Sequence, residues 1–189
     1  LIVTSESSDG RITSRRARNL VLAPGGQPFW PDCFASLRDA PGAIHSQDYL
    51  STIATRLKPG MRVAVIGGGQ SAAEIFADLA ALPEPASVSL ILRGRALMPS
   101  DDTPFVNEIF DPEQTGLFHD RSADDRQRTL SDLAATNYAV VDADLIEQIY
   151  EMLYEQDVRG DDRLAIMAET SVTDTESGPG GVALNLMGP

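Results

Sequence analysis

The strongest chemical signal in the chain is Gly67-Gly68-Gly69-Gln70-Ser71-Ala72, which separates the apolar run Met61 to Ile66 from an amphipathic one. Gly67-x-Gly69-x-x-Ala72 after a strand and at the start of a helix is the setting in which a dinucleotide is received. The reasons are physical. Gly67 permits a tight turn, Gly69 lets the backbone approach a pyrophosphate, Ala72 lets the helix pack close to the sheet, and the unpaired amides of the first helical turn face the phosphates. The alternative is a glycine-rich turn with a purely structural role. The end of the next apolar run separates one dinucleotide from another. An acid there would accept hydrogen bonds from ribose hydroxyls and repel an added phosphate; the chain instead has Arg93 and Arg95. A guanidinium at that point pairs with a phosphate dianion, which favours NADPH over NADH. Two solvated arginines are the alternative.

Other chemistries lack their residues. His45 and His119 have no nearby nucleophile pattern and Cys33 has no local partner, so a hydrolase triad is unsupported. Asp101-Asp102 has no His, Cys or carboxylate at ligand spacing to complete a metal site, and reads as a polar turn before Pro104. No metal and no catalytic acid, base or nucleophile is assigned.

These residues need a frame. Met61 to Ile66 reads as a buried strand, Ala72 to Leu82 as a helix with Ile75, Phe76, Leu79 and Leu82 on one face, and Val88 to Leu92 as a second strand. Together they make one βαβ unit. Upstream, two short strands flank the turn Ser7-Ser8-Asp9-Gly10, and an apolar run from Ala17 to Ala23 stops at Pro24-Gly25-Gly26. Ser46 begins a helix with Tyr49, Leu50, Ile53 and Leu57 on one face, ended by Lys58-Pro59-Gly60. Downstream, Asp125 to Ala135 is helix-like and Thr136-Asn137-Tyr138 is a break. Asp142 can cap a long helix with Leu145, Ile146, Ile149, Tyr150, Leu153 and Tyr154 as its apolar stripe. Val182 to Met187 is again strand-like. Strand patterns at both ends predict a piece of a larger protein.

The 189 residues carry a net charge of −13. Residues 1 to 100 hold ten basic and eight acidic side chains, and residues 101 to 175 hold five and nineteen. The only basic cluster is Arg15, Arg16, Arg18, so nucleic acid is an unsuitable partner. No apolar stretch approaches the ~20 residues of a membrane helix. One cysteine and no visible secretory signal predict a reducing, cytoplasmic setting.

Five segments together resemble the flavin-dependent N-hydroxylating monooxygenases, the ornithine and lysine N-oxygenases of siderophore pathways. They are Ala23-Pro24-Gly25-Gly26-Gln27-Pro28, Ile44-His45-Ser46-Gln47-Asp48-Tyr49-Leu50, the glycine turn, Asp101 through Phe110, and Thr136 through Asp142 with the helix after it. The resemblance implies an α/β fold, a Rossmann-like three-layer dinucleotide-binding domain excised from a larger flavoprotein with two dinucleotide sites. Residues 1–27 would belong to the flavin side and 28–165 to the NADPH domain, with a substrate-contacting insert at 97–142. Residues 166–189 would return toward the flavin side. It further implies that Gly67, Gly68, Gly69, Gln70, Ser71 and Ala72 hold the NADPH pyrophosphate region, that Arg93 meets the adenosine 2′-phosphate, and that Asn107 holds the amino-acid end of the substrate. Asn137 would sit between substrate and nicotinamide ribose. FAD would bind mainly to parts of the parent outside this chain. In the implied reaction NADPH reduces FAD, reduced flavin adds oxygen to form a hydroperoxide, and the primary amine of ornithine, lysine or a diamine takes its distal oxygen. The implied partners are that amine and molecular oxygen, in a homo-oligomeric parent. Two alternatives stay open: another NADPH-using flavoprotein of the disulfide-reductase-like class, and a non-catalytic nucleotide-binding module.

Overall fold

The computed structural model describes residues 1–189. Strands β1 (Ile2–Glu6) and β2 (Ile12–Arg16) form an antiparallel hairpin with Glu6 opposite Ile12. The Ser7 N–H donates to the Arg11 carbonyl at 3.0 Å, and the Asp9 carboxylate accepts from the Arg11 N–H at 3.1 Å, which closes the expected turn. The run from Ala17 to Ala23 forms no strand here, and Leu20, Val21 and Leu22 are exposed.

Helix α1 (Tyr49–Arg56) leads to β3 (Arg62–Ile66), α2 (Gln70–Ala81) and β4 (Ser87–Ile91). Next come the two-residue β5 (Met98–Pro99), the short α3 (Pro104–Asn107), α4 (Pro112–His119) and α5 (Ala123–Asp132). The two-residue β6 (Val140–Val141), the long α6 (Ala143–Arg159) and β7 (Leu164–Met167) complete the α/β part, and β8 (Ser171–Gly178) with β9 (Gly181–Met187) makes a closing hairpin. β3, β4 and β7 form a parallel sheet in the order β3-β4-β7. The α/β class and the parallel βαβ unit are those expected; the sheet continues to Met167, two residues past the division expected at 165.

The register explains which residues meet. Val63, Val88 and Leu164 stand side by side, as do Val65, Leu90 and Ile166, and this face packs on Ala73, Phe76, Ala77 and Leu79 of α2 and Ile149 of α6. On the other face Ala64, Ile66, Ala165 and Met167 are exposed. β3 is therefore half-covered rather than buried, because it is an edge strand and only Val63 and Val65 point toward the helices. Two stripe assignments also differ. Tyr49, Ile53 and Leu57 already fill the buried side of α1, so Leu50, about 100° around from Tyr49, is exposed. On α6 the packed stripe runs through Leu145, Ile146, Ile149, Met152 and Leu153, leaving Tyr150 and Tyr154 exposed.

Polar clasps fix these helices. The Gln156 carboxamide donates to the Leu164 carbonyl at 2.9 Å and accepts from the Leu164 N–H at 2.5 Å, so α6 grips β7 like an added strand. The Arg163 guanidinium donates to the carbonyls of Ala80 (2.8 Å), Leu79 (3.2 Å) and Leu82, satisfying the open C-terminal end of α2. The buried Tyr49 hydroxyl donates to the Asp78 carboxylate at 2.5 Å. Burial pushes this phenol above its ordinary range, and the hydrogen bond and charge of Asp78 push it further. Tyr49→Phe should cost about 1–2 kcal/mol at pH 7. Because the phenol ionises less readily in the folded chain, its contribution is complete below the ordinary tyrosine value of about 10 and declines as pH rises above it. Melting curves of both proteins from pH 7 to 11 should converge at the alkaline end; a constant gap would mean that Tyr49 ionises as freely as in the unfolded chain.

Candidate functional site

At the end of β3 the chain makes the turn that the glycines predict. The Gly67 N–H donates to the Ile91 carbonyl at 3.0 Å, which ties the turn to β4. Gly67 has φ +148°, and a Cβ there would lie 2.9 Å from the Ala72 Cβ. Gly67 and Ala72 thus require each other to be small. The Gly69 carbonyl takes the first bonds of α2, from the N–H groups of Ala72 (3.0 Å) and Ala73 (3.1 Å). The N–H groups of Gly68, Gly69, Gln70 and Ser71 have no acceptor within the chain. A Cβ on Gly68 or Gly69 would approach nothing closer than 3.5 Å, so packing within the chain does not demand glycine at either place. Four unpaired amides at the start of a twelve-residue helix, with backbone bare of side chains, form a cradle suited to an anion.

β4 ends beside this cradle. Leu92 is buried and lies against Gly68, and Arg93 directly after it is exposed and without an ion pair. Arg95, by contrast, pairs with Glu169 at 3.3 Å. Of the two arginines, Arg93 is the one without an ion pair.

The two asparagine segments are brought to the turn by a chain of backbone contacts. β5 pairs in parallel with β6, the Ser100 N–H donates to the Val141 carbonyl at 3.0 Å, and the Asp101 N–H donates to the Ala135 carbonyl at 2.9 Å. The segment that opens at Asp101 is therefore fastened alongside the one containing Asn137. That second segment abuts the turn in its own right, since Ala139, held at φ +55°, lies against Gly69. Asn137 is exposed; its backbone N–H donates to the Ala134 carbonyl at 3.3 Å, and its side-chain amide is left without a partner in the chain. Asn107 ends α3, is exposed, and donates to the Asp102 carbonyl at 3.0 Å, bracing its own loop while its amide oxygen is left free. Ser71 is exposed at the start of α2. Gln70 is placed differently from its neighbours: its carboxamide bonds to Asp142 and Glu74.

The L-lysine 6-monooxygenase/L-ornithine 5-monooxygenase family model matches residues 1–187. The chain belongs to this family. It is 42% identical over 190 residues to the L-ornithine N(5)-monooxygenase of Pseudomonas aeruginosa, a match covering 98% of this chain and 43% of that protein. Among solved structures, the ornithine hydroxylase (PvdA) of Pseudomonas aeruginosa superposes with a TM-score of 0.85 at 42% identity, covering 98% of this chain and 44% of that one. A Kutzneria sp. 744 ornithine N-hydroxylase, described with reduced FAD, NADP+ and L-ornithine, gives a TM-score of 0.78 at 27% identity over 99% of this chain and 44% of that one. The chain thus spans less than half the length of these relatives.

Within this monooxygenase-family chain, the groups whose proton affinity is displaced lie away from the glycine turn. The Ser7 hydroxyl, then the Arg11 backbone, lowers Asp9, and the Ser122 hydroxyl, then Arg128, lowers Asp125. No group of three or more His, Cys, Asp or Glu side chains is arranged to hold a metal, and no helix is long and apolar enough to cross a membrane. The sequence did not point to Glu74; Ala139 and Asp142 lie in the expected segment 136–142, and Asp142 was also expected to cap the helix after it. Asp142 does precede α6, and its carbonyl accepts from the Ile146 N–H at 3.1 Å, but its carboxylate makes no capping bond and turns to Gln70 instead.

Proposed function

We propose that this chain is the NADPH-holding part of a longer FAD- and NADPH-dependent monooxygenase that hydroxylates the primary amine of a small amino acid, with ornithine the favoured substrate and siderophore assembly the setting. In this reading residues 28–165, with β7 carried on to Met167, hold NADPH, the stretch 97–142 reaches the substrate, and residues 1–27 and the remainder to 189 pack on the flavin side. The amides of Gly68, Gly69, Gln70 and Ser71 hold the pyrophosphate, Arg93 holds the 2′-phosphate, Asn107 holds the amino-acid end, and Asn137 bridges substrate and nicotinamide ribose. The observation that carries the reading is the cradle itself: four acceptor-less amides, glycines that internal packing does not require, and an unpaired arginine at the end of the adjoining strand.

The bound cofactors supply the electrons and activate the oxygen. The balance is that amine, oxygen, NADPH and a proton give hydroxylamine, NADP+ and water. Its own residues bind and orient. Arg93 distinguishes the phosphorylated coenzyme by charge, and the two asparagines offer amides that both donate and accept, which suits a zwitterion beside a ribose.

The test is oxygen uptake by the full-length protein with ornithine, lysine and a diamine in turn, with hydroxylated product measured directly. Uptake driven by ornithine with matching product supports the proposal. Flavin reduction with no product from any amine returns the chain to another class of flavoprotein, and NADPH binding without flavin returns it to a nucleotide-binding module. Asn107→Ala in the same protein removes one or two hydrogen bonds, worth about 1 kcal/mol each and up to about 3 to a charged group, and should raise the amine KM about five- to a hundredfold. Flavin reduction by NADPH should stay nearly constant. Since Asn107 also braces the Asp102 carbonyl, melting is measured alongside; a variant that only melts earlier would leave Asn107 a loop brace.

A further inference from the structure

Gln70 is the first residue of α2, and its carboxamide closes a ring with the residue that precedes α6. Its Oε1 accepts from the Asp142 N–H at 2.8 Å, and its Nε2 donates to the Asp142 carboxylate at 2.9 Å and to the Glu74 carboxylate at 3.0 Å. The orientation of the amide is fixed by chemistry: a backbone N–H can only meet an oxygen, and the two carboxylates can only meet the NH₂. Both functional ends of Asp142 are therefore gripped by one side chain. Asp142 closes the segment that begins at Thr136, which is anchored near this end by the buried Val141 and at its start by the N–H groups of Asn137 and Tyr138, both donating to the Ala134 carbonyl. It contains Ala139 at φ +55°, a left-handed conformation that a residue with a Cβ rarely adopts, so its surroundings must impose it. The surroundings are the two-residue β5–β6 pairing, the contact with Gly69, and the Gln70 ring.

From this we infer that Gln70 is a positioning residue: it locks the Asn137 segment onto the glycine turn, setting the amine site relative to the dinucleotide site, and its side chain is not a ligand of the pyrophosphate. The inference rests on the reading of Asn137 as a substrate residue, and it reassigns Gln70 within that reading. Only a carboxamide serves. A glutamate at this place would still accept from the Asp142 N–H, but would set three carboxylates together with no donor between them. A methionine would keep the length and lose every bond.

The test uses Gln70→Met, Gln70→Glu, Asp142→Asn and the double variant Q70E/D142N in the full-length protein. Q70M should raise the amine KM about tenfold, as both bonds to Asp142 are lost, and should divert NADPH oxidation from product to peroxide. NADP+ affinity, measured by titration calorimetry without turnover, should fall less than amine affinity, because the Asn137 contact with the nicotinamide ribose is loosened while the backbone amides that hold the pyrophosphate are untouched. Q70E should be worse than Q70M, and D142N mild, since an asparagine oxygen still accepts from Gln70. The double variant should recover most of the Q70E loss, because the asparagine NH₂ then supplies the donor that Q70E removed. Hydrogen exchange of residues 136–142 should rise in Q70M and Q70E and return toward normal in the double variant. A loss of NADP+ affinity in Q70M as large as the loss for the amine, or a double variant no better than Q70E, would overturn the inference and put Gln70 on the phosphates. If the parent protein hydroxylates no amine at all, the functional reading fails, while hydrogen exchange still decides whether the ring holds the segment.

Discussion

Arg93→Ala in the full-length protein should weaken NADPH binding about ten- to a hundredfold and leave NADH binding nearly unchanged. The magnitude follows from the loss of one charge-assisted contact of about 1.5–3 kcal/mol, which only the phosphorylated coenzyme can make. The choice of residue follows from geometry. Arg93 is exposed directly after Leu92, which packs on Gly68, whereas Arg95 is already paired with Glu169 at 3.3 Å. Arg95→Ala should accordingly have a small effect, in keeping with the modest worth of an exposed ion pair. Rates of flavin reduction at varied NADPH and NADH give both affinities, and the NADPH preference of the wild type should fall with added salt, since an exposed charge pair is screened. Equal losses for the two coenzymes would take Arg93 off the phosphate and transfer the assignment to Arg95.

What the sequence made legible, and what it hid, divides along a physical line. The hairpin at Ser7 to Gly10, the strand–turn–helix at Met61 to Leu82 and the break at Thr136 are local: turn chemistry, an apolar run and a period of three to four residues specify them within a dozen positions. Helix α2 begins two residues earlier than its periodicity suggests, because Gln70 and Ser71 form its first turn without joining its apolar face. The width of a packed stripe is not local. Leu50, Tyr150 and Tyr154 have the spacing of core residues, yet they are exposed, since the neighbouring elements meet only the narrower set beside them. Equally hidden were the polar clasps. Arg163 reaches carbonyls more than eighty residues earlier, and Gln70 meets Asp142 across seventy-two. Nothing in the spacing of those residues announces the pairing, because it exists only once β3, β4 and β7 have set the helices side by side. The glycine turn and the helix after it were readable from spacing; the fastening of the Asp101 and Thr136 segments to that turn through Ser100, Asp101 and Ala139 was not.

Gly67→Ala should produce the largest loss of stability of any single methyl added at the glycine turn. Two costs fall on the same atom. At φ +148° a residue with a Cβ is strained by about 1–3 kcal/mol, and the new methyl would lie 2.9 Å from the Ala72 Cβ, forcing α2 away from the sheet at a further cost of about 1–3 kcal/mol. For a domain of this size each kcal/mol moves the melting point by about 2–4 °C, so a fall of about 4–24 °C is expected. The two costs can be separated. Adding Ala72→Gly relieves the contact but leaves the backbone strain, and should restore part of the loss. Gly69→Ala supplies the contrast, because its φ of −109° is ordinary and its Cβ would meet nothing nearer than 3.5 Å. Stability should then be nearly unchanged while NADPH affinity falls, as the methyl would stand where the proposed site has the coenzyme phosphates approach the backbone. If Gly69→Ala bound NADPH normally, the cradle would be a structural turn after all, and Gly67 would owe its identity to Ala72 alone.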